Sequence, residues 1–149
     1  MISSTILSQE IITQKSYIRR KNGTTYGSTN TAVVIYSTAV SSVGTDISYT
    51  NDSVGGDYFT INTAGIYTIS ATGYGGTSNR TFEINIGSSV QNTFHTADVV
   101  AGLSSASSLD IRSVSWTGWI DAGKVIYTLY DQSSPPSSDL NNITIVGPL

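Results

Sequence analysis

The stretch GIYTISATGY, residues 65–74, decides the fold class of this chain. Its apolar side chains Tyr67, Ile69 and Ala71 alternate with serine and threonine at every second position. Alternation with a period of two residues is typical of a β-strand that buries one face and leaves the other in solvent. The stretch therefore predicts a half-buried strand that begins after Gly65.

Similar segments lie on both sides of this strand. Clusters of Gly, Asn, Asp and Ser separate them, and such clusters form turns. About eight or nine short strands without a convincing helix predict an all-β sandwich or barrel. The predicted strands are residues 32–36, 46–49, 58–61, 66–74, 80–86, 90–100, 111–120, 125–130 and 142–146.

Composition narrows the class of protein further. The 149 residues suffice for one domain, and only 11% are charged, against about 25% in an average globular protein. The net charge of −3 argues against a broad nucleic-acid surface. The chain has no cysteine, which excludes disulfides and thiolate metal sites, and no apolar run approaches the roughly 18 residues of a membrane helix.

Two of the predicted strands, 32–36 and 125–130, are apolar on both faces. In a two-sheet sandwich only one face of each sheet meets the core, so the second face requires a loop or another subunit. We expect another copy of the chain to cover it, and Trp119 to lie outside its own core because Ile120 already takes the inward position. The predicted interface residues are Val34, Tyr36, Trp119, Ile126 and Tyr130.

Residues 1–30 are interpreted as an N-terminal arm and linker. Four of the seven basic residues lie between positions 15 and 21, and a turn-rich stretch follows at 22–30. Isoleucines on a free tail are stabilised only by docking, so we expect the arm to bind an apolar or acidic groove; an unattached terminus is the alternative. The predicted anchoring residues are Ile2, Ile6, Leu7, Ile11, Ile12, Lys15, Arg19, Arg20 and Lys21.

Four segments resemble, in order, the C1q/tumour-necrosis-factor-like jelly-roll superfamily, particularly its short phage and bacterial forms. They are DYFTINTAGIYTIS (57–70), FEINIG (82–87), WIDAGKVIY (119–127) and ITIVGPL (143–149). The resemblance covers residues 31–149. It implies a two-sheet antiparallel jelly-roll sandwich, assembly as a homotrimer, and structural or adhesive functions without enzyme activity. Lys124 stands where the family usually has an acidic residue, so no cation site is carried over.

No residue pattern indicates catalysis or a cofactor. His95 is the only histidine, and it falls in the predicted strand 90–100, where a solvent-facing or hydrogen-bonded histidine is expected rather than a catalyst. Asp46, Asp52 and Asp57 lie in a turn-rich stretch where acids cap loops, and their spacing matches no EF-hand. We predict no catalytic, cofactor-binding or metal site.

The resemblance, an arm before the domain and a start without a signal-peptide pattern favour a virion surface protein. We expect a trimeric phage head-fibre or capsid decoration protein that the arm attaches to the major capsid protein or another virion protein. The alternative is a tail-fibre adhesin that recognises a cell-surface glycan through loops 73–79 or 132–139. A hydrolase with a carboxylate pair is a third possibility. We expect neither nucleic-acid binding nor membrane insertion.

Overall fold

A computed structural model describes residues 15–75, 80–105, 110–131 and 140–149. All regular structure in these ranges is β, and they contain no helix that could span a membrane. The ten strands are β1 (Ser16–Tyr26), β2 (Val34–Val43), β3 (Ile47–Thr50), β4 (Tyr58–Ile61), β5 (Gly65–Gly75), β6 (Arg80–Gly87), β7 (Val99–Ser105), β8 (Asp110–Ile120), β9 (Val125–Tyr130) and β10 (Asn142–Gly147).

The strands form two five-stranded sheets. Sheet A has the order β2-β1-β10-β5-β8, and sheet B has the order β3-β4-β9-β6-β7. The strand pairs are antiparallel, and most neighbours in a sheet are far apart in sequence. The predicted two-sheet antiparallel jelly-roll sandwich is therefore confirmed.

Strand β1 corrects the predicted domain boundary. It lies between β2 and β10, and Arg19 pairs with Ser41 on one side and Thr144 on the other. The interpretation of residues 1–30 as an arm and linker is thus wrong for 16–26. A register shift after Arg19 and a positive φ of 58° at Asn22 interrupt the alternation that would have indicated a strand.

The anchoring residues divide accordingly. Arg19, Arg20 and Lys21 belong to a central strand, and Lys15 directly precedes it. Arg20 lies over the ring of Tyr49, 3.6 Å from its centroid, and donates two hydrogen bonds to a backbone carbonyl of β2. It therefore joins the two sheets instead of serving an arm. The other predicted anchors, Ile2, Ile6, Leu7, Ile11 and Ile12, lie outside the described residues.

The main core lies between the sheets. It is built from the inward side chains of nearly every strand, and each large apolar side chain that is fully buried contributes about 1.5–3 kcal/mol to folding. The fully buried members include Phe59, Ile61, Tyr67, Ile69, Phe82, Ile84, Ile126, Ile143 and Ile145.

Candidate functional site

The outward side of β1, β10, β5 and β8, which we call the open face, is lined with hydroxyl groups. Across β5 and β8, the hydroxyls of Thr68 and Thr117 lie 2.9 Å apart, and those of Thr72 and Ser113 lie 3.3 Å apart. Each pair shares one hydrogen bond within the chain, so only one hydroxyl hydrogen of each pair still needs a partner. The centre of the open face is consequently polar.

Apolar side chains stand at both ends of the β5–β8 pair. At one end Trp119 is 64% exposed and pairs with Ile66, which is 44% exposed. At the other end Ile111, 55% exposed, pairs with Tyr74. The indole nitrogen of Trp119 donates to Asp121 Oδ1 at 2.9 Å, which fixes the ring in place. Large exposed apolar groups around a neutral centre are typical of a contact surface.

Charge is concentrated at one side of the open face. From 66 to 74 on β5, 111 to 119 on β8 and 142 to 146 on β10, no described outward side chain is charged. Arg19 and Lys21 on β1 add two cations beyond β10. The β5–β8 half of the face is therefore the part that another protein surface can cover at the lowest desolvation cost.

Four of the five predicted interface residues are in the core of their own chain. Val34, Tyr36, Ile126 and Tyr130 are at most 3% exposed, so they cannot contact another subunit and the prediction is wrong for them. The prediction assigns the wrong face of β9 to the interface, because Ile126 and Tyr130 point into the core. Trp119 agrees with the prediction that it lies outside its own core, and its place in an interface stays a prediction.

The other face of β9 is covered by the chain itself. Val125, Tyr127 and Leu129 point outward from sheet B, yet none is more than 8% exposed. They pack with Val33 and with Val90 and Phe94 of residues 88–98, which we call the cover loop. The second apolar face that argued for a partner thus has an intramolecular cover.

The cover loop is fixed at several points. The carbonyl of Asp98 accepts a hydrogen bond from the backbone of Ile86 at 2.8 Å, and the Asn92 side chain accepts one from Ala32 at 2.9 Å. His95 Nδ1 lies 2.8 Å from Oε1 of Glu83, whose carboxylate is buried. These contacts hold the loop on sheet B.

His95 is placed differently from the prediction. Residues 90–98 do not form a strand, since β7 begins at Val99, and His95 lies in a turn with a φ of 58°. Its side chain is 71% exposed, and its backbone nitrogen also donates to Glu83. It is a hydrogen-bonded, solvent-facing histidine, as predicted from the sequence.

Of the three aspartates of the turn-rich stretch, Asp46 stands apart, whereas the backbone nitrogen of Asp52 donates a hydrogen bond to Asp57 Oδ1 at 3.2 Å. Asp46 accepts a hydrogen bond from Ser16 at 2.7 Å, and hydrogen bonds from Thr63 and Ser16 lower its pKa. Asp57 is buried and accepts from the backbone of Tyr36 at 2.7 Å and from the hydroxyl of Tyr49; burial raises its pKa. Within the described ranges no three metal-ligating side chains converge.

Sequence reasoning missed Ile66 and Ile111 as members of the open face, whereas it named Tyr74, with Trp119, as a candidate contact residue. A signal was present for Ile66, because the alternation places it on the same side of the strand as Thr68 and Ser70. It is an apolar residue on a side that otherwise carries hydroxyl groups. Ile111 carries the same signal, because it alternates with Ser113 and Ser115 on one side of β8, but its position opposite Tyr74 follows only from the register of β5 against β8.

Solved structures of tumour-necrosis-factor-family ligands share this fold. Murine APRIL at pH 8.0 matches with a TM-score of 0.63 and 11% identity over 89% of this chain and 98% of that one. GITRL from pika matches at 0.58 with 9% identity, and GITRL from bushbaby at 0.53 with 13% identity; each covers 89% of this chain and 93% of its own. No protein-family model and no curated protein sequence matches. The chain therefore has the TNF-like jelly-roll fold that the sequence resemblance predicts.

Proposed function

We propose that this chain is a non-catalytic structural module that assembles as a homotrimer through the open face of sheet A. One observation carries the proposal: the β5–β8 half of this face has an uncharged, hydroxyl-paired centre with exposed Trp119, Ile66 and Ile111 at its ends. Interface cores are depleted in charge and enriched in aromatic residues. The threefold symmetry itself comes from the resemblance to the C1q/TNF-like superfamily.

The hydroxyl pairs favour protein as the occupant of this face. An unpaired hydroxyl that is buried costs about 1–3 kcal/mol. The bonds between Thr68 and Thr117, and between Thr72 and Ser113, reduce that cost before any partner arrives. A second copy of the chain can therefore cover the face without supplying a hydrogen bond for each hydroxyl.

We further propose that the trimer is a component of a virus particle, as a head-fibre or capsid decoration protein at the virion surface. The support is the resemblance of residues 31–149 to the short phage forms of the superfamily. Because β1 belongs to the domain, the proposed anchor to a capsid protein is now confined to residues 1–14, upstream of the sheet.

The oligomer is tested by measuring mass in solution at micromolar concentration. We expect a trimer for the wild type and a folded monomer for Trp119→Asp combined with Ile66→Asp, because two carboxylates would be desolvated in the interface. Leu103→Asp is the matched control: Leu103 is also 44% exposed, but it lies on β7 of sheet B. A monomeric wild type, or a trimer that survives the double substitution, would refute this interface.

The particle is tested separately by deleting residues 1–14 and labelling the chain on purified virions. We expect the deleted protein to remain trimeric and to be absent from the particle. Incorporation of the deleted protein would disprove the anchoring role, and absence of the wild-type chain from particles would disprove the placement in the virion.

The glycan-binding alternative had been assigned to loops 73–79 and 132–139. Residues 76–79 and 132–139 lie outside the described residues, so the structure offers no support for a site in those loops. A different part of the molecule carries features that suit a saccharide.

A further inference from the structure

A cleft opens on the outward side of sheet B, next to the cover loop. Its volume is about 390 Å³, within the range of roughly 300–1,000 Å³ that small-molecule sites occupy. One wall is the turn that contains Asp52, the other wall is Ser88 and Ser89 of the cover loop, and Tyr58 and Val125 form the floor.

The floor of the cleft is apolar and partly aromatic. Val125 is 8% exposed, and the half-buried ring of Tyr58 packs against the same cluster. Such a ring can stack on the C–H face of a flat, partly apolar ligand. The packing of Tyr58 also holds its ring in position before a ligand arrives, which limits the entropy lost on binding.

Asp52 presents an oriented acceptor at the wall. Its Oδ1 atom accepts hydrogen bonds from the backbone of Val54 at 2.8 Å and of Gly55 at 2.9 Å. Its Oδ2 atom has no hydrogen-bond partner in the described part of the chain, and a Cβ on Gly55 would lie only 2.7 Å from it. Glycine at position 55 thus leaves this oxygen open. The hydrogen bonds from Gly55 and Val54 lower the pKa of Asp52, so it is ionised at neutral pH.

The opposite wall presents hydroxyl donors. Ser88 Oγ accepts a hydrogen bond from Lys124 Nζ at 3.0 Å, and Ser89 Oγ accepts one from the Gln91 side chain at 3.3 Å. Because each oxygen already accepts a bond, each hydroxyl hydrogen is available to donate. The two walls therefore offer complementary groups: a carboxylate on one side and two O–H donors on the other.

We propose that this cleft binds a neutral saccharide. A sugar ring has an apolar C–H face for Tyr58, hydroxyl donors for Asp52 and hydroxyl acceptors for Ser88 and Ser89. The carboxylate of Asp52 and the ammonium of Lys124, which is bonded to Ser88, stand on opposite sides of the cleft, so the cleft favours neither sign of charge. A single carboxylate also does not supply the 6–8 oxygen ligands that Ca²⁺ requires. The site goes beyond the proposed structural role, and it lies on the sheet opposite the open face.

The test is NMR titration of the full chain with free neutral mono- and disaccharides at millimolar concentration, following the backbone amides of residues 52–58 and 88–90. We expect shifts confined to these amides. Asp52→Asn keeps an oxygen for the turn but replaces the free acceptor with a donor, and we expect it to weaken binding about tenfold or more. Ser89→Tyr fills the cleft from an exposed position, and we expect it to abolish binding.

Asp46→Asn is the matched control, because it makes the same change at the other end of β3 and should leave the affinity unchanged. Absence of shifts with every sugar of the panel would overturn the proposal. Equal binding of glucuronate, or unchanged binding by Asp52→Asn and Ser89→Tyr, would overturn the assignment to a neutral ligand in this cleft. None of these outcomes depends on the mass measured for the oligomer.

Discussion

The outward sides of the two sheets are completed in different ways. On sheet B the outward side chains of β9 form a continuous apolar row, and Phe94 and Val90 of the cover loop bury it. On sheet A the exposed outward apolar groups lie apart from one another, at the ends of β5 and β8 and at Val43 of β2, and no described segment of the chain covers them. A continuous apolar row must be buried for the monomer to fold, whereas isolated apolar residues around a neutral centre can stay exposed in the monomer and be buried later by a partner.

The two faces also differ in shape. The cover loop raises a wall beside Tyr58 and creates a concave site, while the open face remains a regular sheet surface. Small ligands bind in concave sites, and large protein partners bind broad surfaces. The same sandwich thus offers one side to a small molecule and the other to another copy of itself.

Truncating one side chain of the covered apolar row on β9 should give the largest difference in unfolding free energy between the two faces. Leu129→Ala removes a fully buried side chain, so we expect the free energy of unfolding to fall by about 2–5 kcal/mol. Ile66→Ala on the open face is the control and should cost less than about 1 kcal/mol in the monomer. Urea unfolding of both variants in a Trp119→Asp background, once its mass in solution shows that it is a monomer, measures the difference. Equal costs would mean that the cover loop does not bury this row.

The next effect concerns the contact that fixes the cover loop. His95→Ala leaves the buried carboxylate of Glu83 without its side-chain partner, which we expect to cost about 1–3 kcal/mol. His95→Asn is the control, because asparagine tolerates the positive φ and keeps an N–H donor. Hydrogen exchange of residues 88–98 should accelerate in the alanine variant and much less in the asparagine variant. Unchanged exchange in both would show that other contacts hold the loop.

Much of the fold could be predicted because its signals are local. The alternation of Tyr67, Ile69 and Ala71 with hydroxyl residues marks β5 whatever its neighbours are. Strand β1 escaped prediction although it pairs with the next strand, β2, because its register there shifts twice and its other pairing, with β10, joins residues more than a hundred positions apart. The bulge after Arg19 removed the local pattern that would have replaced that evidence.

The site was harder to predict than the fold for a related reason. The sequence shows that Ile126 and Tyr127 lie on opposite faces of β9, but it does not show which one meets the core. Both faces are apolar, so the alternation has no polar side to orient it. The cover loop decides between them, but most of it falls in the predicted strand 90–100, so the sequence did not indicate that Val90 and Phe94 would cover β9.

A smaller effect should appear only at alkaline pH. Burial, together with the negative charge of Asp98, raises the pKa of Tyr127 from 10.0 to about 12. Between these values the unfolded chain releases this proton and the folded chain keeps it, so stability falls as the pH rises through that window. Tyr127→Phe removes the titrating hydroxyl, so its stability should fall less than that of the wild type as the pH rises from 10 to 12. Identical alkaline profiles would contradict the burial of Tyr127 beneath the cover loop.

The smallest effect is expected from the hydroxyl pairs of the open face, and it bears directly on whether that face is covered. In the monomer Thr68→Val breaks one exposed hydrogen bond to Thr117. A cross-strand pair of this kind contributes about 0.2–1 kcal/mol to stability, so we expect a loss in that range. In a trimer the hydroxyl of Thr117 would be buried without a partner, so the same substitution should cost more there than in the monomer. Thr68→Val combined with Thr117→Val removes both polar groups and should recover the trimer. Trimer dissociation measured for the single and double variants therefore reports whether water still reaches these hydroxyls, because an exposed pair would show no difference between monomer and trimer.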